Sequence, residues 1–150
     1  MELILWRHAE AEDGYPDMER ALTAKGIEQS KKMAAWLKAR MPKDTKILVS
    51  PAKRAQQTAS ALDLPYTTLA ELAPERSAHE LLKTANWDTS KGSVLIVGHQ
   101  PTLGIAAAIA MTHKTQYWCV KKGAIWWIAS RIRAEEEQAI IRAVISPDML

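Results

Sequence analysis

An apolar run near the start of the chain ends abruptly at two basic side chains. Residues 3–6 are Leu-Ile-Leu-Trp, a run of the length and composition typical of a buried strand, and Arg7 and His8 follow at once. Because an unpaired arginine is costly to bury, we expect this pair where the strand leaves the core. Ligands of open α/β sheets bind outside the carboxyl ends of the strands. The sequence therefore places a cation and an imidazole where an anionic ligand could bind.

Polar residues also follow two later apolar runs. Residues 47–49 precede Ser50, and the run from Ser93 to Val97 precedes Gly98 and His99. A helix is predicted directly after each run, and Arg54 lies in the first turn of the earlier one. Strands joined by right-handed helical crossovers are parallel, with their carboxyl ends at one edge of the sheet. We therefore expect these polar residues to converge with the arginine and histidine that follow the first strand.

The order of the predicted elements favours an α/β fold. Thr23 is a predicted N-cap for a helix that reaches Met41, and Ser50 is a predicted N-cap for the helix containing Arg54, with Pro51 at its first position. Near the end of the chain, residues 124–129 and 139–145 are predicted to form two strands. The polar residues 133–138 between them predict the turn of an antiparallel hairpin. The whole pattern predicts a three-layer α/β/α sandwich with a mostly parallel central sheet and an antiparallel C-terminal hairpin. We expect residues 1–150 to form a single domain.

Composition narrows the classes of function. The formal net charge is +3 and the pI is about 9.0, which is too mildly basic to indicate a nucleic-acid partner when lysine and arginine are dispersed along the chain. The single cysteine, Cys119, cannot form an intrachain disulfide. No apolar run approaches the length of a membrane span, and Met1 and Glu2 lead directly into the first predicted strand without a signal-peptide pattern. We expect a cytoplasmic protein with no membrane partner.

The expected cluster of two imidazoles and two guanidiniums indicates phosphoryl chemistry. The chain has no pair of cysteines, no closely spaced pair of histidines and no Asp-x-Asp motif, so a metal site is not expected, and it has no glycine-rich nucleotide-binding loop. Arginine presents planar donors that match phosphate oxygens. Neutral imidazole supplies a free lone pair near neutral pH. These properties predict covalent phosphoryl transfer through a histidine, without metal or cofactor.

Four segments taken together resemble the histidine phosphatase superfamily, whose members share a phosphoglycerate-mutase-like fold. They occur in the family's order and are residues 5–10 (LWRHAE), 20–26 (RALTAKG), 50–59 (SPAKRAQQTA) and 97–101 (VGHQP). The resemblance implies that His8 is the nucleophile and that Arg7 and Arg54 hold the phosphoryl oxygens. It also implies that His99 stabilises the transferring group, while Ser50 and Gln57 help to shape the phosphate pocket.

The short distance along the chain between Arg54 and His99 indicates which members of the family the protein resembles. Mutases and acid phosphatases of the superfamily carry inserted helical segments in or near this region, and this chain has no room for such a cap subdomain. An open cationic site suits a phosphorylated side chain on another protein. The chain therefore looks similar to the SixA-type phosphohistidine phosphatases, which implies a phosphohistidine-bearing protein as partner and binding of inorganic phosphate or mimics such as sulfate.

Two other functions are compatible with the same residues. One is a small-molecule phosphomonoesterase or mutase, and the other is a non-catalytic phosphate-binding adaptor. Larger members of the family use a carboxylate to protonate an oxygen leaving group; Glu71 and Glu75 lie in about the right part of the chain, but neither matches a family motif. Release of an imidazole needs less acid assistance than release of an alkoxide, because imidazole is a much weaker base. The general acid is therefore left unassigned.

Overall fold

The computed structural model of the protein describes all 150 residues. The strands are β1 (Glu2–Arg7), β2 (Lys46–Val49), β3 (Thr67–Thr68), β4 (Ser93–Gly98), β5 (Ile125–Arg133) and β6 (Glu136–Ile145). The α-helices are α1 (Ala24–Lys38), α2 (Lys53–Ser60), α3 (Ala78–Thr84) and α4 (Thr102–Thr112), and short 3₁₀ helices cover Asp17–Glu19, Ala70–Leu72 and Pro147–Met149. No helix combines the length and the apolar composition that a membrane span requires.

The six strands form one mixed sheet in the order β3-β2-β4-β1-β5-β6. Strands β1, β2, β3 and β4 are mutually parallel, whereas β5 pairs antiparallel with β1 and with β6. This arrangement confirms the predicted α/β sandwich with a C-terminal antiparallel hairpin. The segment between β3 and β4 contains only a 3₁₀ helix and α3, so there is no cap subdomain.

Strand β1 lies in the interior of the sheet, and both of its faces are covered. Its apolar side chains alternate between the two hydrophobic cores, with Leu3 and Leu5 in one core and Ile4 and Trp6 in the other, as the two-residue period of a strand requires. All four are fully buried. The first core also contains side chains of α3 and α4, and the second contains side chains of α1 and α2. The helices therefore form the two outer layers of the sandwich.

The register of the parallel strands brings the predicted site residues to one edge. Arg7 is paired with Gly98 across β1 and β4, so the residues that follow, His8 and His99, leave the sheet side by side. The backbone amide of Ser50, which follows β2, donates to the carbonyl of Val97 at 3.0 Å. The carboxyl ends of β1, β2 and β4 thus meet, as the crossover rule predicts.

The predicted beginning of α2 is wrong. The helix begins at Lys53, and its N-cap is Ala52 rather than Ser50. The Ser50 hydroxyl accepts a hydrogen bond from the Ala52 amide at 3.2 Å and contacts His99. The local serine turn and the contact with the histidine therefore displace the expected cap, and Pro51 lies in a bend before the helix.

The predicted hairpin turn is too long. Strand β5 continues to Arg133 and strand β6 begins at Glu136, which leaves Ala134 and Glu135 as a two-residue connection. Both have positive φ, 53° and 65°, as a type I′ turn requires. This turn type matches the twist of paired strands, but neither residue is the asparagine or glycine that usually signals it. Polar composition alone therefore predicted a longer turn.

Candidate active site

His8 is held by its backbone and by one ring nitrogen. It is buried, its amide donates to the carbonyl of Gly98, and its carbonyl accepts from the amide of Gly123, both at 3.0 Å. The Nδ1 atom lies 2.8 Å from the carbonyl oxygen of Ala9. Because a carbonyl can only accept, Nδ1 carries the ring proton of neutral His8, and Nε2 keeps its lone pair. The nitrogen that could attack an electrophile is therefore Nε2.

Arg54 is the cation closest to this lone pair. Its Nε donates to His8 Nε2 at 3.3 Å. Its two terminal nitrogens donate to Asp17, one to the backbone oxygen at 2.7 Å and the other to the carboxylate at 3.1 Å. The Arg54 side chain is 5% exposed and the Asp17 side chain 54% exposed. The loop after β1 therefore holds the guanidinium from the solvent side.

His99 lies beside His8, with the ring centroids 5.1 Å apart and the ring planes at 54°. Its Nε2 is 2.7 Å from the hydroxyl oxygen of Ser50, which is fully buried. Ser50 therefore belongs to the site through His99, whose orientation it fixes. Its direct contact with a phosphoryl group remains a prediction.

Arg7 is anchored by a part of the chain that is distant in sequence. Its Nη1 donates to the carbonyl of Val120 at 2.8 Å, and its backbone amide donates to Ala124 at 3.0 Å. Arg7 Nε and His99 Nδ1 are buried and make no hydrogen bond to protein atoms. Buried polar groups are normally paired, so an oxygen-rich anion fits this site.

Gln57 and Thr58 support the loop around the site. The side-chain oxygen of Gln57 accepts from the Leu22 amide at 2.7 Å, so the contact that the structure shows is with the loop, and a contact with phosphate remains a prediction. Thr58 Oγ1 accepts from the Ala9 amide at 3.1 Å and donates to the Arg54 carbonyl at 2.8 Å. Sequence reasoning assigned no role to Thr58. Its position four residues after Arg54, on the same face of α2, was the signal available.

The electrostatics of the site keep both imidazoles neutral. Burial lowers the pKa of His8 to about 4, and the positive charge of Arg54 acts in the same direction. The hydrogen bond to Ala9 opposes this shift. Burial, the neighbouring His8 and Arg54 lower the pKa of His99 to about 3. The Asp17 carboxyl differs, because hydrogen bonds from Arg20 and Arg54 hold its pKa below its usual range. The ligand-free site at neutral pH therefore contains two neutral imidazoles beside two permanent cations.

These pKa shifts predict how the ligand-free protein responds to acid. Between about pH 6.5 and pH 4 the unfolded chain protonates its histidines while His8 and His99 stay neutral in the folded protein. The unfolded state then binds more protons, so the free energy of unfolding should fall as the pH falls through this window. Urea unfolding at several pH values measures the slope, and NMR titration of the two imidazoles, assigned with His8→Gln and His99→Gln variants, measures the pKa values directly. Titration midpoints near the usual value of about 6.5 would contradict the prediction.

Asp17 gives a second prediction, because its carboxylate occupies a donor of Arg54 that an anion would use. In Asp17→Asn the backbone oxygen still holds Nη1, whereas the negative charge is lost. We expect inorganic phosphate to bind about threefold more tightly, in the range of a partly exposed ion pair, as measured by isothermal titration calorimetry. Asp13→Asn, in the same loop and without an ion pair, is the control. Weaker phosphate binding in Asp17→Asn would show instead that the carboxylate mainly holds Arg54 in place.

The arrangement suits transfer of an anionic group to nitrogen. A lone pair on His8 Nε2 could attack phosphorus, while the two guanidiniums balance the charge of the phosphoryl oxygens. No group of three or more His, Cys, Asp or Glu side chains is positioned to hold a metal ion. The carboxylate that touches the site is ionised Asp17, which is therefore a poor proton donor.

Comparison with known proteins gives consistent similarities. Residues 3–76 match the family model of the histidine phosphatase superfamily, branch 1. The chain is 34% identical over 117 residues to the phosphohistidine phosphatase SixA of Escherichia coli K12, covering 72% of this chain and 73% of that protein. A structure of the protein histidine phosphatase SixA complexed with tungstate superposes with a TM-score of 0.82 at 28% identity, covering 99% of both chains. A phosphoserine phosphatase mutant of Entamoeba histolytica shares the fold, with a TM-score of 0.71 at 16% identity over 99% of this chain and 98% of the other.

Proposed function

The chain belongs to the histidine phosphatase superfamily and is a phosphatase, and from this premise we propose that it hydrolyses phosphohistidine on a signalling or phosphotransfer protein, without a metal ion. The relative SixA is named for this activity and shares 34% identity with the chain. In this proposal His8 is the nucleophile, and Arg7, Arg54 and His99 stabilise the transferred phosphoryl group.

The proposed reaction has two displacements at phosphorus. First, the lone pair of His8 Nε2 forms a bond to phosphorus, and the bond from phosphorus to the substrate histidine breaks. The substrate leaves as neutral imidazole when its other ring nitrogen carries a proton. Second, water attacks the phosphoryl-His8 intermediate, the nitrogen–phosphorus bond breaks, and inorganic phosphate leaves. Arg7 and Arg54 balance the charge on the equatorial oxygens in both displacements.

The observation that carries the choice of substrate is the state of the carboxylate at the site. Asp17 is hydrogen-bonded to Arg20 at 3.1 Å and to Arg54 at 3.1 Å, and these contacts lower its pKa. Glu71 and Glu75 make no hydrogen bond to the site residues; Glu75 is exposed. A site without a protonated acid suits an imidazole leaving group better than an alkoxide.

Steady-state kinetics on a matched set of substrates tests the proposal. The wild-type protein is offered, in the presence of EDTA, a protein phosphorylated on histidine by phosphoramidate, a phosphoserine peptide and a panel of sugar and glycerate phosphates. We expect kcat/KM for the phosphohistidine protein to exceed all others. Preference for a sugar or glycerate phosphate would favour the small-molecule phosphatase or mutase. Phosphate binding without turnover of any substrate would favour the non-catalytic adaptor.

A further inference from the structure

A polar cleft lies beside the candidate active site. It has a volume of about 530 Å³, and apart from Pro147 its lining residues are charged or polar. Its walls are the first two turns of α1, the turn before β5 and the C-terminal 3₁₀ helix, and its lining residues include Glu10, Gln29, Lys25, Lys32, Lys121 and Lys122. None of these lysines takes part in the catalytic contacts described above.

Two segments of the chain that line the cleft lead directly to the candidate active site. The Gln29 side chain accepts from the amide of Glu10 at 3.0 Å, two residues after His8. On the other wall, Lys121 follows Val120, whose carbonyl holds Arg7. The walls of the cleft are therefore formed by the same segments of chain that carry His8 and hold Arg7.

Most of the unpaired charges in the cleft are positive. Glu28 and Asp148 pair with Lys31 and Lys121, whereas Glu10 accepts from the neutral Thr23 hydroxyl at 2.8 Å and keeps its negative charge.

Lys25, Lys32 and Lys122 are exposed and form no ion pair. Lys25 and Lys32 are seven residues apart, on one face of α1. Three free ammonium groups thus surround a polar cleft next to a phosphoryl site.

We propose that this cleft binds acidic side chains that flank the phosphorylated histidine of the partner protein. The inference rests on the proposed function, because it concerns the residues that flank the phosphohistidine of the substrate. Exposed charges of this kind mainly steer association and select partners. The partner surface that fits is a segment with several glutamates or aspartates close to the phosphohistidine, rather than one with lysines or arginines.

Two triple variants test the cleft. The cleft variant is Lys25→Glu with Lys32→Glu and Lys122→Glu. The control variant is Lys43→Glu with Lys91→Glu and Lys114→Glu, exposed lysines at the opposite edge of the sheet that form no ion pair either. Both variants change the net charge equally. The substrates are two peptides phosphorylated on a single histidine, one flanked by glutamates and the other by glutamines.

We expect the wild-type protein to prefer the glutamate peptide. In the cleft variant kcat/KM for that peptide should fall about tenfold, because three exposed ion pairs between cleft lysines and peptide glutamates are lost. The control variant should keep the preference, and the glutamine peptide should be hydrolysed equally by all three proteins. Raising the salt concentration should weaken the wild-type preference. Equal activity of the wild type on both peptides, or equal losses in both variants, would overturn the proposal.

Binding separates this inference from the proposed reaction. Fluorescence anisotropy with the same labelled peptides gives a Kd whether or not they are hydrolysed. Tighter binding of the glutamate peptide that is lost in the cleft variant supports the cleft, even if hydrolysis fails and the proposed function falls. Tight, strongly salt-dependent binding of a DNA duplex that is lost in the cleft variant, without binding of the glutamate peptide, would overturn the proposal in favour of a nucleic-acid partner.

Discussion

Replacing His8 with alanine is expected to lower kcat for hydrolysis of a histidine-phosphorylated protein by about four orders of magnitude. The reason is that the Nε2 lone pair is the nucleophile of the proposed reaction, and no other group with a free lone pair occupies its place between Arg54 and His99. Stopped-flow or radiolabel assays of phosphate release measure the loss. Labelling with ³²P adds a direct measurement, because the wild-type protein should form an acid-labile, alkali-stable phosphoenzyme and His8→Ala should not.

His79→Ala is the matched control for this experiment, because His79 is an exposed histidine of α3 whose side chain makes no hydrogen bond to the site residues. It should retain wild-type turnover and form the phosphoenzyme. Persistent hydrolysis by His8→Ala would rule out the covalent mechanism. Thermal unfolding of both variants identifies any loss of activity that arises from unfolding instead of chemistry.

Replacing Arg54 with lysine is expected to lower kcat/KM by about two to three orders of magnitude, comparable to the removal of a preorganised donor at other transition states. Lysine keeps the charge but lacks the planar fork, so it cannot contact His8 Nε2, the Asp17 carbonyl and the Asp17 carboxylate at once. The loss should appear mainly in kcat, because the guanidinium contacts the phosphoryl oxygens most strongly in the transition state of the transfer.

Arg76→Lys serves as the control for charge-conserving replacement of an arginine. Arg76 lies before α3 and pairs with Glu80 at 2.8 Å, both partly exposed, so its replacement should leave kcat/KM unchanged. If Arg54→Lys also kept wild-type kcat/KM, a positive charge alone would suffice, and the directional contacts of the guanidinium would be irrelevant to the reaction.

Residues close to strand ends were predictable because local patterns determine their positions. The apolar runs before Arg7, Ser50 and His99 each stop within one residue of the end of a strand, and the crossover rule then brings these residues together. Thr23 could be predicted as the N-cap of α1 from its type and position, and its hydroxyl does accept from the Gly26 amide at 2.9 Å.

Contacts between distant segments could not be predicted in the same way. The carbonyl that holds Arg7 belongs to Val120, and any residue can supply a carbonyl, so side-chain identity carries no signal. Asp17 illustrates a related limit, because its pairing with Arg54 depends on how the loop after β1 folds back. Ser50 shows that a local rule can be overridden, because its hydroxyl is used by His99 and not as a helix cap.

The pairing of β1 with β4 has a consequence for how the protein can diverge. His8 and His99 follow adjacent residues of one hydrogen-bonded parallel ladder, Arg7 opposite Gly98, so the separation of the two rings is inherited from the spacing between neighbouring strands. Ser50 and Arg54 orient the two rings, but side chains of α1 and of the turn before β5 do not set this distance. Substitutions on α1 or in the turn before β5 can therefore change which partner docks while the two imidazoles stay in register, so chemistry and partner choice can evolve on separate parts of the chain.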